Sequence, residues 1–136
     1  MSTRANIIIK DGYDKLYFYR HSDGYPSGVK ESLDKFVGMV RNGAIRNNTG
    51  QAAGWLILIG AAEYDYNHET RSEDFGKELN TGIKDLLNKD GNGYSDWKVG
   101  AYEPTMGIHG DIVHLYVVDL EKAEWNEVPR NDWNKY

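Results

Sequence analysis

ANIIIKDGYDKLYFYR, residues 5–20, is the stretch that decides how this chain folds. Isoleucines precede the pair Asp11-Gly12 and alternating aromatic residues follow it. Asp-Gly between two β-branched or aromatic runs is a strong local signal for a tight hairpin turn. We therefore predict a β-hairpin over Ala5–Arg20.

Helical patterns follow the hairpin. Residues 27–41 carry apolar side chains at helical spacing, with Ser27 as the expected N-cap and Gly43 just beyond the expected end. A further helix is predicted from Ser72 to Leu87, because acidic residues stand near its positive end and its apolar residues again fall on one face. Residues 64–70, between these patterns, are polar and aromatic and indicate a loop.

The apolar run at residues 52–62 fits either a buried helix or a buried strand, because it is apolar on every side. Its length and alanine content favour a helix, with Thr49 as a candidate N-cap, while its Leu-Ile-Leu-Ile centre is typical of a strand.

The last third of the chain returns to strand patterns. One strand is expected through Trp97, Val99 and Ala101, and a loop over Pro104–Gly110. The sequence further predicts a central strand over Asp111–Leu120, a short edge strand over Ala123–Val128 stopped by Pro129, and a polar tail at residues 130–136.

These patterns together predict a single α+β domain over residues 1–136. Strands lie at both ends and helices in the middle, which is not a regular βαβ alternation. We expect an antiparallel sheet of about five strands, formed by the N-terminal hairpin and the C-terminal strands, with two or three helices packed on one face.

Composition excludes several classes of function. The chain of 136 residues has no cysteine, so disulfides, thiolate metal sites and thiol nucleophiles are absent. Nucleic-acid binding needs clusters of basic residues, and the net charge of −5 does not indicate such a surface. The densest basic stretch, Arg41–Arg46, holds only two charges and is interpreted as a solvated helix end. No apolar run predicts a signal peptide or a bilayer span, so we expect no membrane association and a cytoplasmic location.

Two short segments nearly repeat each other, and each places a histidine two residues before an aspartate. They are Arg20-His21-Ser22-Asp23-Gly24-Tyr25-Pro26 and Ile108-His109-Gly110-Asp111-Ile112. If their strands are neighbours in one antiparallel sheet, both segments lie at the same strand end. His21, Asp23, His109 and Asp111 could then hold a divalent metal, or a histidine and a carboxylate could do acid–base work.

Two arginines favour ligand binding over a metal. Arg4 precedes the first strand and Arg20 ends the second, so the hairpin could bring both guanidinium groups close to the glycine-rich backbone around Gly24 and Tyr25. Such a set suits a carboxylate or phosphate. Each arginine could equally pair with an acid such as Asp23 or Asp111, and both segments are also ordinary turn formers.

The leading hypothesis is therefore a small binding protein with a strand-end pocket for a small anionic ligand. The candidate residues are Arg4, Arg20, His21, Asp23, Gly24, Tyr25, His109 and Asp111. One alternative is a hydrolase that uses a metal or acid–base chemistry at the paired motifs, and another is an interaction protein that blocks a host factor. No cofactor is implied.

Residues 88–96 resemble the start of an EF-hand calcium loop. Asn88, Asp90 and Asn92 occupy the first alternating ligand positions, and Gly93 the turn. The twelfth position, normally a bidentate glutamate, is Val99. We therefore interpret the segment as a helix-ending turn.

The quoted motifs resemble those of a group of small bacterial, archaeal and phage proteins without an established activity. Members carry an N-terminal Thr-Arg segment, here Thr3-Arg4, an Arg-His-x-Asp-Gly-Tyr-Pro signature and a later His-Gly-Asp-Ile motif. The chain departs from the pattern at Ser22, where a tryptophan is expected, and the resemblance does not extend over residues 42–89. It implies that Arg4, Arg20, His21, Asp23, Tyr25, His109 and Asp111 should be tested first.

Overall fold

A computed structural model describes residues 2–66 and 101–136 of the chain. The elements in this part are β1 (Ala5–Lys10), β2 (Lys15–Arg20), α1 (Pro26–Arg41), α2 (Thr49–Tyr66), β3 (Glu103–Thr105), β4 (His114–Asp119), β5 (Glu124–Glu127) and a 3-10 helix (Arg130–Lys135). The helix expected at 72–87, the calcium-like segment at 88–96, and Trp97 and Val99 lie outside the described residues. None of the described helices combines the length and the apolar character needed to span a bilayer.

The strands form one sheet in the order β3-β2-β1-β4-β5. β1 and β2 pair antiparallel, which confirms the predicted hairpin, and β2–β3 and β4–β5 are also antiparallel. β1 and β4, however, are parallel, so the expectation of a wholly antiparallel sheet is wrong at this pair. The chain passes through both helices between β2 and β4, and a crossover of that length lets β4 enter beside β1 in the same direction.

Both faces of the sheet are covered, and β1 shows why its sequence is a continuous isoleucine run. Ile7 and Ile9 face the larger hydrophobic cluster, which contains the buried side chains of α1 and α2. Ile8 faces a second cluster on the opposite side, against which Trp133 of the 3-10 helix packs. The helices are therefore not confined to one face, and the expected polar tail is a packed helix whose Trp133 Nε1 donates to the Val128 carbonyl at 3.0 Å.

Several predicted boundaries differ from the structure. α1 begins at Pro26 after Tyr25, without a side-chain cap, so the assignment of Ser27 as N-cap is wrong. Proline is suited to this first position because its fixed φ matches the helix and its missing N–H would have no partner there. Residues 52–62 lie within α2, which resolves the helix–strand ambiguity, and residues 64–66 are helical rather than loop.

The C-terminal strands are also shorter or displaced. Ala101 lies in no strand, and β3 instead occupies Glu103–Thr105, which overlaps the start of the predicted loop. Pro104 is tolerated there because β3 is an edge strand. β4 begins at His114 rather than Asp111, and β5 is the short edge strand that was expected.

Asp11 connects the hairpin turn to the start of α2. Its carboxylate accepts hydrogen bonds from the backbone N–H groups of Tyr13 (2.7 Å) and Asp14 (2.8 Å) within the turn. It also accepts from the Thr49 N–H at 2.9 Å and the Thr49 hydroxyl at 2.8 Å. The bonds from Asp14, Tyr13 and Thr49 hold the pKa of Asp11 far below its ordinary value, because all of them favour the charged form.

Asp11→Asn is therefore expected to lower the melting temperature at neutral pH. Since the folded-state pKa is depressed, the stabilisation by Asp11 is complete above the unfolded-state pKa near 3.8 and declines as the pH falls below it. The difference in melting temperature between wild type and variant should therefore become smaller as the pH is lowered from 7 to 2. Asp14→Asn, in the same turn, is the control because its exposed carboxylate accepts no hydrogen bond from the described residues. Equal losses in both variants, or a gap independent of pH, would contradict this role.

Candidate functional site

Three segments of the chain meet at the start of β1. Ala5 lies opposite Arg20 of β2 on one side and opposite His114 of β4 on the other. The residues before β1 therefore run between the loop after β2 and the loop before β4. The Gly24 N–H donates to the Thr3 carbonyl at 2.8 Å, and the Val113 N–H donates to the Arg4 carbonyl at 2.8 Å. We call the region formed by residues 2–4, 19–25 and 108–113 the histidine corner.

The two histidine–aspartate segments thus reach the same end of the sheet. The sequence suggested that β2 and β4 are neighbouring strands, whereas in the structure β1 lies between them. Tyr19 joins the two segments. Its hydroxyl lies 3.1 Å from His21 Nδ1, and its ring stacks on His109 with centroids 4.1 Å apart and planes at 15°. Tyr19 was not among the expected site residues, and its position two residues before His21, on the same face of β2, is the sequence signal that could have identified it.

His109 is fixed by contacts to two strands. Its backbone N–H donates to the side-chain oxygen of Asn6, a buried β1 residue, at 2.7 Å. Its Nε2 lies 2.8 Å from the Thr105 hydroxyl of β3. Its Nδ1 is 4.0 Å from the Asp111 carboxylate, which is beyond hydrogen-bond distance. The ring is therefore held by its neighbours while remaining partly exposed to solvent.

Burial raises the pKa of the Tyr19 hydroxyl above its ordinary value of 10.0, and Asp111 raises it further while Arg4 opposes the shift. The phenol is consequently neutral at physiological pH and can donate its proton to His21 Nδ1. A neutral His21 that accepts at Nδ1 carries its own proton on Nε2. In that arrangement the exposed imidazole presents an N–H donor at Nε2.

Arg4 lies in the same corner, beside Asp111 of the second motif, and is only partly used by the fold. Its Nη1 is 3.3 Å from the Asp111 carboxylate, and both side chains are half-exposed. Pairing with Asp111 was one of the two alternatives that the sequence left open. Arg4 Nε is buried without a hydrogen-bond partner, and no other buried side-chain nitrogen or oxygen in the described part of the chain is in this state.

Arg20 lies on the opposite face of the sheet and does not join Arg4. Its side chain is 1% exposed, and its two terminal nitrogens contact the Glu63 carboxylate of α2 at 3.1 and 2.5 Å. Its Nε donates to the Ser22 carbonyl at 2.9 Å, and Nη2 donates to the Gly28 carbonyl at 3.2 Å. The loop after β2 is therefore wrapped around the buried Arg20. This arginine holds the loop in shape and does not face a ligand.

The remaining residues of the first motif also shape the loop. Gly24 is buried, and a Cβ there would lie 2.8 Å from both the Ala5 Cβ and the Thr3 carbonyl oxygen, so only glycine fits. The Gly24 carbonyl accepts a 2.6 Å bond from Tyr116 of β4. Asp23 adopts a left-handed backbone conformation (φ 57°), and its carboxylate lies 3.4 Å from the exposed Tyr25 hydroxyl. Turn formation thus accounts for Asp23, Gly24 and Tyr25.

The four expected metal ligands do not converge on one point. Asp23 is directed to Tyr25 and Asp111 to Arg4, and neither carboxylate lies within hydrogen-bond distance of an imidazole among the described contacts. Within residues 2–66 and 101–136, no group of three histidine, aspartate or glutamate side chains has the arrangement needed to hold a metal ion.

Neither a protein-family model, nor a curated protein, nor a solved structure matches this chain. The family resemblance of the two motifs stays a prediction, and a functional assignment depends on the chemistry of the corner.

Proposed function

We propose that the protein binds a small molecule through its phosphate or carboxylate group at the histidine corner, with Arg4, His21 and His109 as the contacting side chains. The observation that carries this proposal is the contact of both imidazoles with Tyr19, in a corner where the Arg4 guanidinium is half-exposed and pairs with the half-exposed Asp111. Guanidinium and imidazole N–H groups are the donors that oxyanions prefer in proteins.

The energetics favour exchange of Asp111 for a ligand. An exposed ion pair such as Arg4–Asp111 contributes only about 0–1 kcal/mol, because solvent screens both charges. Each hydrogen bond between a charged group and a ligand oxyanion contributes about 1.5–3 kcal/mol. An incoming anion that contacts Arg4 and one imidazole can therefore displace the carboxylate with a net gain.

The proposed ligand set is smaller than the set expected from sequence. Arg20, Asp23, Gly24 and Tyr25 support the shape of the corner and are not included as ligand contacts. The absence of cysteine supports a reducing compartment for this function, and we propose the cytoplasm.

The test is a titration with inorganic phosphate, followed by NMR signals of the histidine rings. We expect the His21 and His109 signals to shift with one common dissociation constant while the His114 signal stays in place. Arg4→Gln should weaken binding about tenfold, the effect of losing one charged hydrogen bond. Arg130→Gln, which removes the same charge beside Trp133, should leave the constant unchanged. Equal shifts of all histidines, or an equal effect of both variants, would contradict a specific site.

Acid–base hydrolysis by the same imidazoles is the alternative that this geometry leaves in place. A phosphate monoester such as phenyl phosphate separates the two functions when it is followed by phosphorus NMR. A binding protein shifts the ester signal without consuming it, whereas a hydrolase converts it to inorganic phosphate and loses this activity in His21→Asn. Turnover of this kind would replace the binding proposal by the enzymatic one.

A further inference from the structure

A second concave surface lies at the opposite end of the sheet from the histidine corner. Its volume is about 470 Å³, and it is formed by the end of α1, the connection to α2 and the turn between β4 and β5. The Leu120 N–H in this turn donates to the carbonyl of Lys10, the last residue of β1, at 2.9 Å. The cavity is therefore separated from the corner by the full length of β1. We call it the basic cavity.

Basic side chains predominate in its lining. Among the described residues of the lining, Arg41, Arg46 and Lys122 are cationic and Glu121 alone is acidic. Arg46 and Lys122 are exposed and form no ion pair within the described part of the chain. The Glu121 carboxylate lies against Gly12 of the hairpin turn, with its oxygens 3.2 and 3.3 Å from the position of a Cβ on that glycine. Among the described residues, no carboxylate therefore neutralises these two cations.

The fold fixes the turn that supplies Lys122. The Asp119 carboxylate accepts hydrogen bonds from the backbone N–H groups of Glu121 (3.0 Å) and Lys122 (3.1 Å). Ala123 has a left-handed backbone conformation (φ 52°), which is unfavourable for a residue with a Cβ, and the Arg41 guanidinium donates to its carbonyl at 2.6 Å. Arg41 therefore holds the turn in place, whereas Arg46 and Lys122 remain available to a ligand.

We propose that the basic cavity binds a small, multiply charged phosphate, such as a pyrophosphate or bisphosphate group. Its volume falls within the range of roughly 300–1,000 Å³ that is typical of small-molecule sites. None of the described residues that line it is aromatic, so this part of the lining offers no surface on which a nucleobase could stack. Separated cations on two different segments match an anion with more than one phosphate better than a single carboxylate.

The experiment is calorimetric titration of the full chain with inorganic pyrophosphate at moderate salt. We expect a binding site whose affinity falls at least tenfold in the double variant Arg46→Gln/Lys122→Gln and is unchanged in Arg4→Gln, which distinguishes it from any binding at the histidine corner. The matched control is Lys15→Gln/Arg130→Gln, which removes the same charge from other surfaces and should change the affinity less than twofold. Thermal melts of both double variants should equal that of the wild type, because the substituted side chains are exposed.

The outcomes separate the two sites. Retention of pyrophosphate affinity in Arg4→Gln, together with its loss in the basic-cavity variant, supports the basic cavity. Loss of affinity in Arg4→Gln alone places the ligand at the histidine corner and overturns this inference while leaving the proposed function intact. No measurable binding by the wild type, or equal weakening in both double variants, also overturns it.

Discussion

Glu63→Ala is expected to destabilise the protein by about 3–5 kcal/mol, because it leaves the Arg20 guanidinium buried without its counter-charge. The two side chains are 6% and 1% exposed, and Glu63 contacts both terminal nitrogens of Arg20. Next to the pair, burial raises the pKa of Tyr102 to about 12 despite the opposing effect of Arg20, so this neighbour is a neutral phenol and cannot replace the missing carboxylate. Urea unfolding followed by tryptophan fluorescence gives the free energy directly.

The matched variants separate the buried charge from simple loss of packing. Glu103→Ala removes an exposed acid from the edge strand β3 and is expected to change stability by less than about 0.5 kcal/mol. In Arg20→Met/Glu63→Leu no charge is left buried, so part of the loss should be recovered. Recovery will be incomplete because the carbonyls of Ser22 and Gly28 lose their donor. A loss below about 1 kcal/mol in Glu63→Ala would contradict the role of the pair.

Gly28→Ala is expected to cost about 3 kcal/mol, since the first turn of α1 has no space for a side chain at this position. A Cβ on Gly28 would overlap the carbonyl oxygen of Asp23. The backbone at Asp23 and at Gly28 cannot easily move apart, because Arg20 donates hydrogen bonds to the carbonyls of both residues. The Gly28 N–H also donates to the Tyr25 carbonyl at 2.8 Å.

Gly38→Ala in the same helix is the control, and its expected effect has the opposite sign. Nothing lies within 4 Å of the position that a Cβ on Gly38 would occupy. Alanine therefore brings only its higher helix propensity, and we expect a gain of about 0.5–1 kcal/mol. Parallel denaturation curves of the two variants measure both effects. A loss of similar size in both would show that the loop around Arg20 does not restrict Gly28.

Local sequence determined the elements whose cause lies within a few residues. The hairpin follows from local sequence, although its turn is the four-residue loop 11–14 held by the Asp11 carboxylate and not a tight Asp-Gly turn. Gly43 lies just beyond α1 with φ 84°, as predicted, because its left-handed conformation suits glycine. The corner was predictable to the same extent, since His21 and His109 stand at the two strand ends that β1 brings together.

What the sequence could not determine is how distant segments are combined. The parallel β1–β4 pair depends on how the long connection between β2 and β4 returns to the sheet, and periodicity carries no information on strand direction. The partner of Arg20 could not be predicted either, because Glu63 lies on α2, far away in the sequence. Arg20 was therefore assigned to a ligand. The sequence likewise did not indicate that Lys122 and Arg46 line the same cavity. The turn after β4 brings them together.

The sequence by itself determined the hairpin, the amphipathic helix after it, the α+β class and the residue types available for binding an anion. Only the tertiary structure decided which of those residues share a surface, because contacts between remote segments depend on the packing of the whole core. It buried Arg20 against Glu63 and brought both His21 and His109 into contact with Tyr19. Burial and pairing therefore divide chemically similar side chains into those that hold the fold and those that remain available to a ligand.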